Sequence, residues 1–210
     1  PKLRIIKKFD GVVSENSDVS KVYKVISSEL PPTRLKPYKN EKQPTRQSLV
    51  LIGGDGNGYD YSEKDWYRLA FEFKNISSTF INSKRTPKFA WQNLKENSGS
   101  EHKHLDTENT DLELLTKNLD EHSHIFVTAD STTRISEIIS RGYFINVIEM
   151  KGPIQYEMHH DLMKSLQEKG LLKIMRLDEL HLSENKYHGN VKKFVVTERD
   201  ALKSKLQKLL

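Results

Sequence analysis

Two hydrophobic periods alternate along the chain. The runs "SLVLIGG", "STFINS", "HIFVTAD", "YFINVIEM" and "LLKIMRL" are short and nearly continuous in apolar residues, as buried strands are. Between them the apolar residues recur at helical spacing. In "SEKDWYRLAFEFKN", Trp66, Leu69, Ala70 and Phe73 fall at i, i+3, i+4 and i+7, behind Ser62 as N-cap with Asp65 three residues on. "PKFAWQNLKEN" reads as a helix with Pro87 in its first turn. "DLELLTKNLDEH" reads as a third helix. "TTRISEIISRG" and "HHDLMKSLQEKG" end in Gly142 and Gly170, the residue type that closes helices. The same spacing assigns Trp66, Phe89 and Trp91 to the core.

Strands alternating with amphipathic helices imply right-handed βαβ crossovers and a parallel sheet covered on both faces. The expected fold is therefore α/β, a doubly wound Rossmann-like domain over residues 48–182. Ahead of it, "FDGVVSEN" reads as a short strand. The stretch from Ser17 to Gln47 carries four of the seven prolines and many charges, so it reads as an extended connector. Residues 1–47 are thus expected to be the remnant of a preceding domain and a linker. Residues 183–210 form a tail whose "TERDALKSKLQKLL" segment is an amphipathic helix. Leu202, Leu206, Leu209 and Leu210 lie along one stripe, with Lys203, Lys205 and Lys208 on the other side. That helix is expected to pack inward. A basic amphipathic helix can also reach a partner or a membrane surface.

Composition changes this picture little. Thirty-four Lys and Arg against 29 Asp and Glu give +5, which favours anionic ligands without demanding nucleic acid. Cysteine is absent, so disulfides and thiolate metal sites are excluded and a cytoplasmic protein is the expectation. No apolar run reaches the roughly 20 residues of a membrane-spanning helix. The chain opens "PKLRIIKK" without methionine, and a fragment of a longer protein is expected.

Ligands of such sheets bind outside the carboxyl ends of the strands. Three segments fall there. The first is the glycine loop with Gly53, Gly54, Gly56, Asn57 and Gly58. Its spacing is neither a Walker loop nor the G-x-G-x-x-G fingerprint. It reads equally as a plain turn or as a backbone able to approach an anion or a sugar. The second is "NSKRTP", where Ser83, Lys84, Arg85 and Thr86 precede a helix. Two cations and two hydroxyls at a helix N-terminus suit an oxyanion, and Arg adds a bidentate fork. The third is "VTADSTTRISEIISRG". Asp130, Ser131 and Thr132 end a strand and begin a helix, Ile135, Ile138 and Ile139 supply its buried face, and Ser136 and Glu137 point elsewhere. Ser131, Thr132 and the free N–H groups can hold phosphate, and Glu137 can accept from two sugar hydroxyls. Caps and a solvated charge would explain the same residues.

Taken in order, "LIGG…Y" (closing at Tyr59), "SKRTP" and "FVTADSTTRISEIISRGYFINV" resemble the elongated-mitochondria fission-protein family of plants and its bacterial relatives. The chain keeps Arg85, Thr86, Pro87, Thr128, Asp130, Ser131, Ser136 and Glu137 of that pattern. It departs in Lys84, in Thr132–Thr133, in the extra glycines after Gly54 and in Arg141-Gly142-Tyr143-Phe144. The resemblance spans residues 9–180. It implies the C-terminal half of a two-Rossmann-domain (GT-B) glycosyltransferase-like protein, with Leu3 to Asn16 leaving a missing N-terminal half. It further implies a nucleotide-diphosphate sugar as substrate and partner, Glu137 on the ribose, and no required cofactor or metal. Catalytic residues are not assigned. The acceptor's base would lie on the missing domain, so this fragment is expected to bind without catalysing.

The histidine pairs His102/His104, His122/His124 and His159/His160 lack the spacing of recognised metal sites and read as structural. His159 comes nearest to the rim. No nucleophile elbow is present, and no recognition helix supports nucleic-acid binding. A non-catalytic interaction module, with peripheral membrane contact through the tail, is the alternative to the donor domain. Binding of a nucleotide discriminates the two.

Overall fold

In a computed structural model, residues 12–14, 25–27, 30, 45–56, 58–150, 157–180 and 188–207 are described. Strands β1 (Val12–Ser14) and β2 (Val25–Ser27) pair in parallel as a small separate sheet. The main sheet contains β3 (Thr45–Leu51), β4 (Ser78–Ile81), β5 (Lys103–Leu105), β6 (His122–Thr128), β7 (Ile145–Glu149) and β8 (Leu172–Arg176). All six are parallel, in the order β5-β4-β3-β6-β7-β8. Helices α1 (Glu63–Phe73), α2 (Lys88–Asn97), α3 (Leu112–Glu121), α4 (Thr132–Arg141) and α5 (Glu157–Glu168) make the crossovers, and α6 (His188–Gln207) follows. The chain is an α/β Rossmann-like domain, as the alternation of periods predicts.

Central strands are apolar throughout because both faces are covered. Leu49, Val50, Ile125, Phe126, Val127, Ile145, Val147 and Ile148 are sealed from solvent. Phe73 on α1 sets its ring edge-on against Phe80 at 5.7 Å and Phe126 at 5.3 Å, which ties the helix across β4 and β6. The predicted α1 cap is present in both directions: Ser62 Oγ accepts from Asp65 N–H, and Asp65 accepts from Ser62 N–H.

Five local expectations need correction. β2 lies inside the stretch read as a connector; it has only two apolar residues, Val25 and Ile26, and β1 supplies the pairing. β5 has one strongly apolar residue, Leu105, so its period is silent, and the open edge of β4 recruits it. Phe89 is 50% exposed, because the buried stripe of α2 is Ala90, Trp91, Asn93 and Leu94 and Phe89 falls beside it. Pro87 stands at the N-cap position and the helix proper begins at Lys88. The final helix starts at His188, ahead of the predicted segment, and packs through Val191 and Val195. Leu206 is 41% exposed, and Leu209 and Leu210 lie outside the described residues. α6 rests on α4, where Arg199 donates to the Ser140 carbonyl at 2.7 Å.

The departure at Arg141–Tyr143 has a structural use. Arg141 is 5% exposed and donates from Nη2 to both oxygens of Asp120, at 2.6 and 2.8 Å, and the Tyr143 hydroxyl reaches the same carboxylate. This triad lies where α3 and α4 end, at the edge of the sheet opposite the candidate site. Burial and Asp120 together drive the Tyr143 hydroxyl well above its ordinary range.

Candidate functional site

The chain order reverses between β3 and β6. From β3 it moves outward through β4 to β5, then returns to β6 and proceeds to β7 and β8. In open parallel sheets the crevice forms at this switch point, outside the carboxyl ends of the two strands. Gly53 and Gly54 follow β3, and Ala129 to Ser131 follow β6. Both loops therefore meet at the one place where no crossover helix separates them.

Asp130 is the centre of that meeting. It is fully buried, and its Oδ2 accepts from Gly54 N–H at 3.0 Å and from Arg85 Nη2 at 2.7 Å. Burial pushes its carboxyl upward, against the Gly54 N–H, the Thr128 hydroxyl and the Arg85 charge, which pull it down. Arg85 is 42% exposed at its side chain and also donates through Nη1 to the Asp55 carbonyl at 3.1 Å. Thr128 accepts from Gly53 N–H at 2.8 Å.

The glycines are explained by close approach. A Cβ on Gly53 would stand 2.0 Å from Asp130 Oδ2, and one on Gly54 would stand 2.0 Å from the Arg85 carbonyl oxygen. Gly56 adopts φ +147° and faces Arg85 Nη1, and Gly58 adopts φ +83°. The N–H groups of Gly53, Gly54 and Gly56 are bonded within the protein, the last to the Tyr59 carbonyl at 2.9 Å. The loop therefore gives one donor, Gly54 N–H, to the Asp130–Arg85 pair, and its missing Cβ atoms leave the room that Asp130 and Arg85 occupy. Asn57 lies outside the described residues.

The second segment folds as a turn locked to the first. Thr86 Oγ1 lies 3.1 Å from the Ile52 carbonyl and 2.5 Å from the Gly53 carbonyl. It accepts from Ser83 N–H at 2.9 Å, and Ser83 Oγ accepts from Arg85 N–H at 3.2 Å. Thr86 is thus a clamp between turns. Lys84 is exposed.

On the third segment, Ser131 occupies the N-cap position of α4 without a side-chain cap bond. The first-turn N–H groups and the positive end of the helix dipole open at the rim. Glu137 lies one turn further, paired with Arg134 Nη1 at 3.3 Å and away from the Asp130 cluster. Ser136 is buried at 3% exposure. The structure thus unites Gly53, Gly54, Gly56, Arg85, Thr86 and Asp130, sets Ser131 and Thr132 beside them, and leaves Glu137 a turn apart.

Four residues of the rim were not among the candidates read from sequence as ligand-binding. His159 on α5 lies 2.5 Å by Nε2 from the Ala129 carbonyl and 2.6 Å by Nδ1 from Thr132 Oγ1. Tyr59 sets its ring edge-on to His159 at 5.7 Å, and its hydroxyl lies 3.4 Å from Glu149 Oε1. His160 Nδ1 lies 3.8 Å from the same oxygen. Only the place of His159 after a Gly-Pro loop had pointed to the rim. Tyr59 enters only as the tyrosine of the "LIGG…Y" stretch that carries the family likeness, and Glu149, the last residue of β7, carries no signal in the sequence.

The histidines of the two earlier pairs are bonded into the fold. His122 Nδ1–H donates to the Asn118 carbonyl at 2.7 Å, and Nε2 accepts from Thr79 Oγ1 at 3.0 Å. His104 stacks on Phe80 at 5.3 Å. Among the described residues no group of three or more His, Cys, Asp and Glu side chains is arranged to hold a metal ion. Burial lowers the basicity of His104, His122 and His159 alike. Below about pH 6.5 the unfolded chain then takes up protons that the folded chain refuses, so stability present above that pH is lost as pH falls. We expect the melting temperature to drop between about pH 7 and pH 5, with a shallower slope in His122→Gln. Equal slopes in the two chains would show that buried His122 is not part of the cause.

A doubly wound parallel sheet with its crevice at the β3–β6 switch point defines a Rossmann-like domain. Solved structures of that architecture match it. TarM shares 11% identity at TM-score 0.51, over 99% of this chain and 45% of TarM. MurG of Acinetobacter baumannii gives 13% and 0.46, over 99% and 57%, and the spinosyn forosaminyltransferase SpnP gives 12% and 0.46, over 93% and 51%. These neighbours include GT-B glycosyltransferases, and the likeness speaks to fold alone. The chain spans about half the length of these three proteins. No curated protein sequence matches it. The family model described as mitochondrial fission ELM1 matches residues 1–197, and the chain belongs to that family. Among the described residues no helix is long and apolar enough to cross a membrane.

Proposed function

We propose that this chain is the donor-side domain of a glycosyltransferase-like protein, binding a nucleotide-diphosphate sugar at the β3–β6 crevice. The observation that carries the reading is the convergence of Arg85, Asp130 and the α4 N-terminus at the switch point of the sheet. Asp130 holds Arg85 at the rim by a bond of 2.7 Å, leaving other guanidinium donors to meet a phosphate. The α4 N-terminus adds N–H donors and a dipole contribution of about 0.3–1 kcal/mol. Both would stabilise charge developing on the departing nucleoside diphosphate, without a required metal. Glu137, a turn into α4, would accept from the ribose hydroxyls, and Ser131 at the N-cap would donate to phosphate. Gly53 and Gly54 let Asp130 and the Arg85 backbone close in on the loop, which fixes where the guanidinium stands. A base for the acceptor would come from the remainder of the protein.

The test is a titration of the 210-residue chain with uridine, guanosine and cytidine diphosphates, followed by amide shifts. One nucleotide should saturate, weakly, because part of the cleft is absent. Arg85→Ala should weaken it about tenfold or more, the scale of a hydrogen bond to a charged group, and Glu137→Ala should weaken it also. Failure of all three nucleotides to bind would overturn the reading and leave an interaction module in its place.

A further inference from the structure

The bonds around His159 fix the polarity of a neighbouring hydroxyl. A carbonyl oxygen can only accept, so Nε2, 2.5 Å from the Ala129 oxygen, carries the ring hydrogen. In the neutral ring Nδ1 is then a bare acceptor. Thr132 Oγ1, 2.6 Å away, must donate its single hydrogen to it. Whatever else reaches that hydroxyl oxygen meets lone pairs only.

We propose that His159 is a specificity-determining positioning residue: it makes Thr132 an obligate acceptor at the first turn of α4, so that this position takes an O–H or N–H donor of the ligand, such as a sugar hydroxyl, and turns away a phosphate oxygen. The nature of the ligand rests on the donor-domain reading; the polarity of Thr132 does not. Thr132 is thereby separated from Ser131, beside which the sequence had set it as a phosphate holder. The anion is left to Arg85, Ser131 and the helix N–H groups.

Among the described residues, the following groups stand around the ring. Tyr59 meets it edge-on from the loop after β3, and His160 is its neighbour on α5. Glu149 stands behind both, bonded to Tyr59, and Asp130 follows the Ala129 carbonyl on the other side. Burial, with a smaller contribution from His160, lowers the basicity of His159 and favours the neutral ring. Once Nδ1 is protonated the relation inverts. Thr132 must then accept from Nδ1–H, and its own hydrogen turns outward as a donor.

Two measurements on the full chain test this. Long-range nitrogen–proton spectra of the imidazoles at neutral pH should show His159 as the neutral Nε2–H tautomer; an Nδ1–H or charged ring there would overturn the proposal, whether or not any nucleotide binds. Sulfate, which keeps its charge across the range, is then titrated at about pH 7.5 and pH 5.5. Its affinity should rise about three- to tenfold on acidification, as one hydroxyl changes from acceptor to donor. His159→Gln keeps a donor and an acceptor but cannot titrate, and Thr132→Val removes the hydroxyl. Each should remove that component of the rise. A rise undiminished in both variants, or no rise at all in the parent chain, would sink the proposal. Failure of the nucleotide titration beside a correct tautomer and a His159-dependent sulfate response would refute the donor-domain reading alone.

Discussion

Gly54→Ala should lose about 3 kcal/mol of stability or more, a fall of roughly 6–12 °C in melting temperature for a chain of this size. The added methyl carbon would lie 2.0 Å from the Arg85 carbonyl oxygen and 2.4 Å from its carbon. No rotamer relieves a clash with backbone. The turn between β4 and α2 must move, yet Thr86 ties it to the Ile52 and Gly53 carbonyls. Gly170→Ala is the control, because a Cβ there meets nothing within 4 Å, although its φ of +69° still carries some strain. Thermal melts of the two variants decide the matter. If Gly54→Ala falls no further than Gly170→Ala, close approach is not what requires a glycine at position 54.

Asp130→Ala should cost about 2–4 kcal/mol, because the buried Gly54 N–H is left without its acceptor and the guanidinium of Arg85 without its anchor. Arg85 is 42% exposed and can return to water, so Arg85→Ala should cost less than Asp130→Ala. A double-mutant cycle isolates the pair, with an expected coupling of about 1–2 kcal/mol. A coupling near zero would mean that the 2.7 Å contact orders Arg85 without stabilising the domain.

The two effects explain why the glycine loop was hard to read from sequence. Its residues match no phosphate-binding pattern, and by themselves Gly53, Gly54, Gly56 and Gly58 mean only that the chain turns sharply. Their purpose depends on residues distant in sequence: Asp130 lies 76 positions from Gly54 and 45 from Arg85. Family likeness supplied the names Arg85, Thr86, Asp130 and Ser131 without saying that Arg85 and Asp130 bond to each other. The sequence reads Thr86 as an anion ligand, and in the fold it is a clamp between turns. His159 reads from sequence only as a histidine near the rim, since a histidine on a helix gives no hint of what its two nitrogens meet.

The periodicity of apolar residues, by itself, determined that strands and helices alternate here, hence that the sheet is parallel and that every strand-to-helix loop opens on one edge. That follows from local physics: burial on both faces demands continuous apolar strands, and a parallel crossover demands a helix. Which loops become neighbours was decided only by the tertiary structure. The order β5-β4-β3-β6-β7-β8 sets β3 beside β6 and so joins the glycine loop to Asp130. Strand order depends on how whole faces pack against one another, and no local period encodes it. The short edge strand β5, the buried role of Arg141 and the tautomer of His159 belong to the same class. Each exists because a distant backbone group or carboxylate needed a partner, and only the folded chain brings that partner within reach.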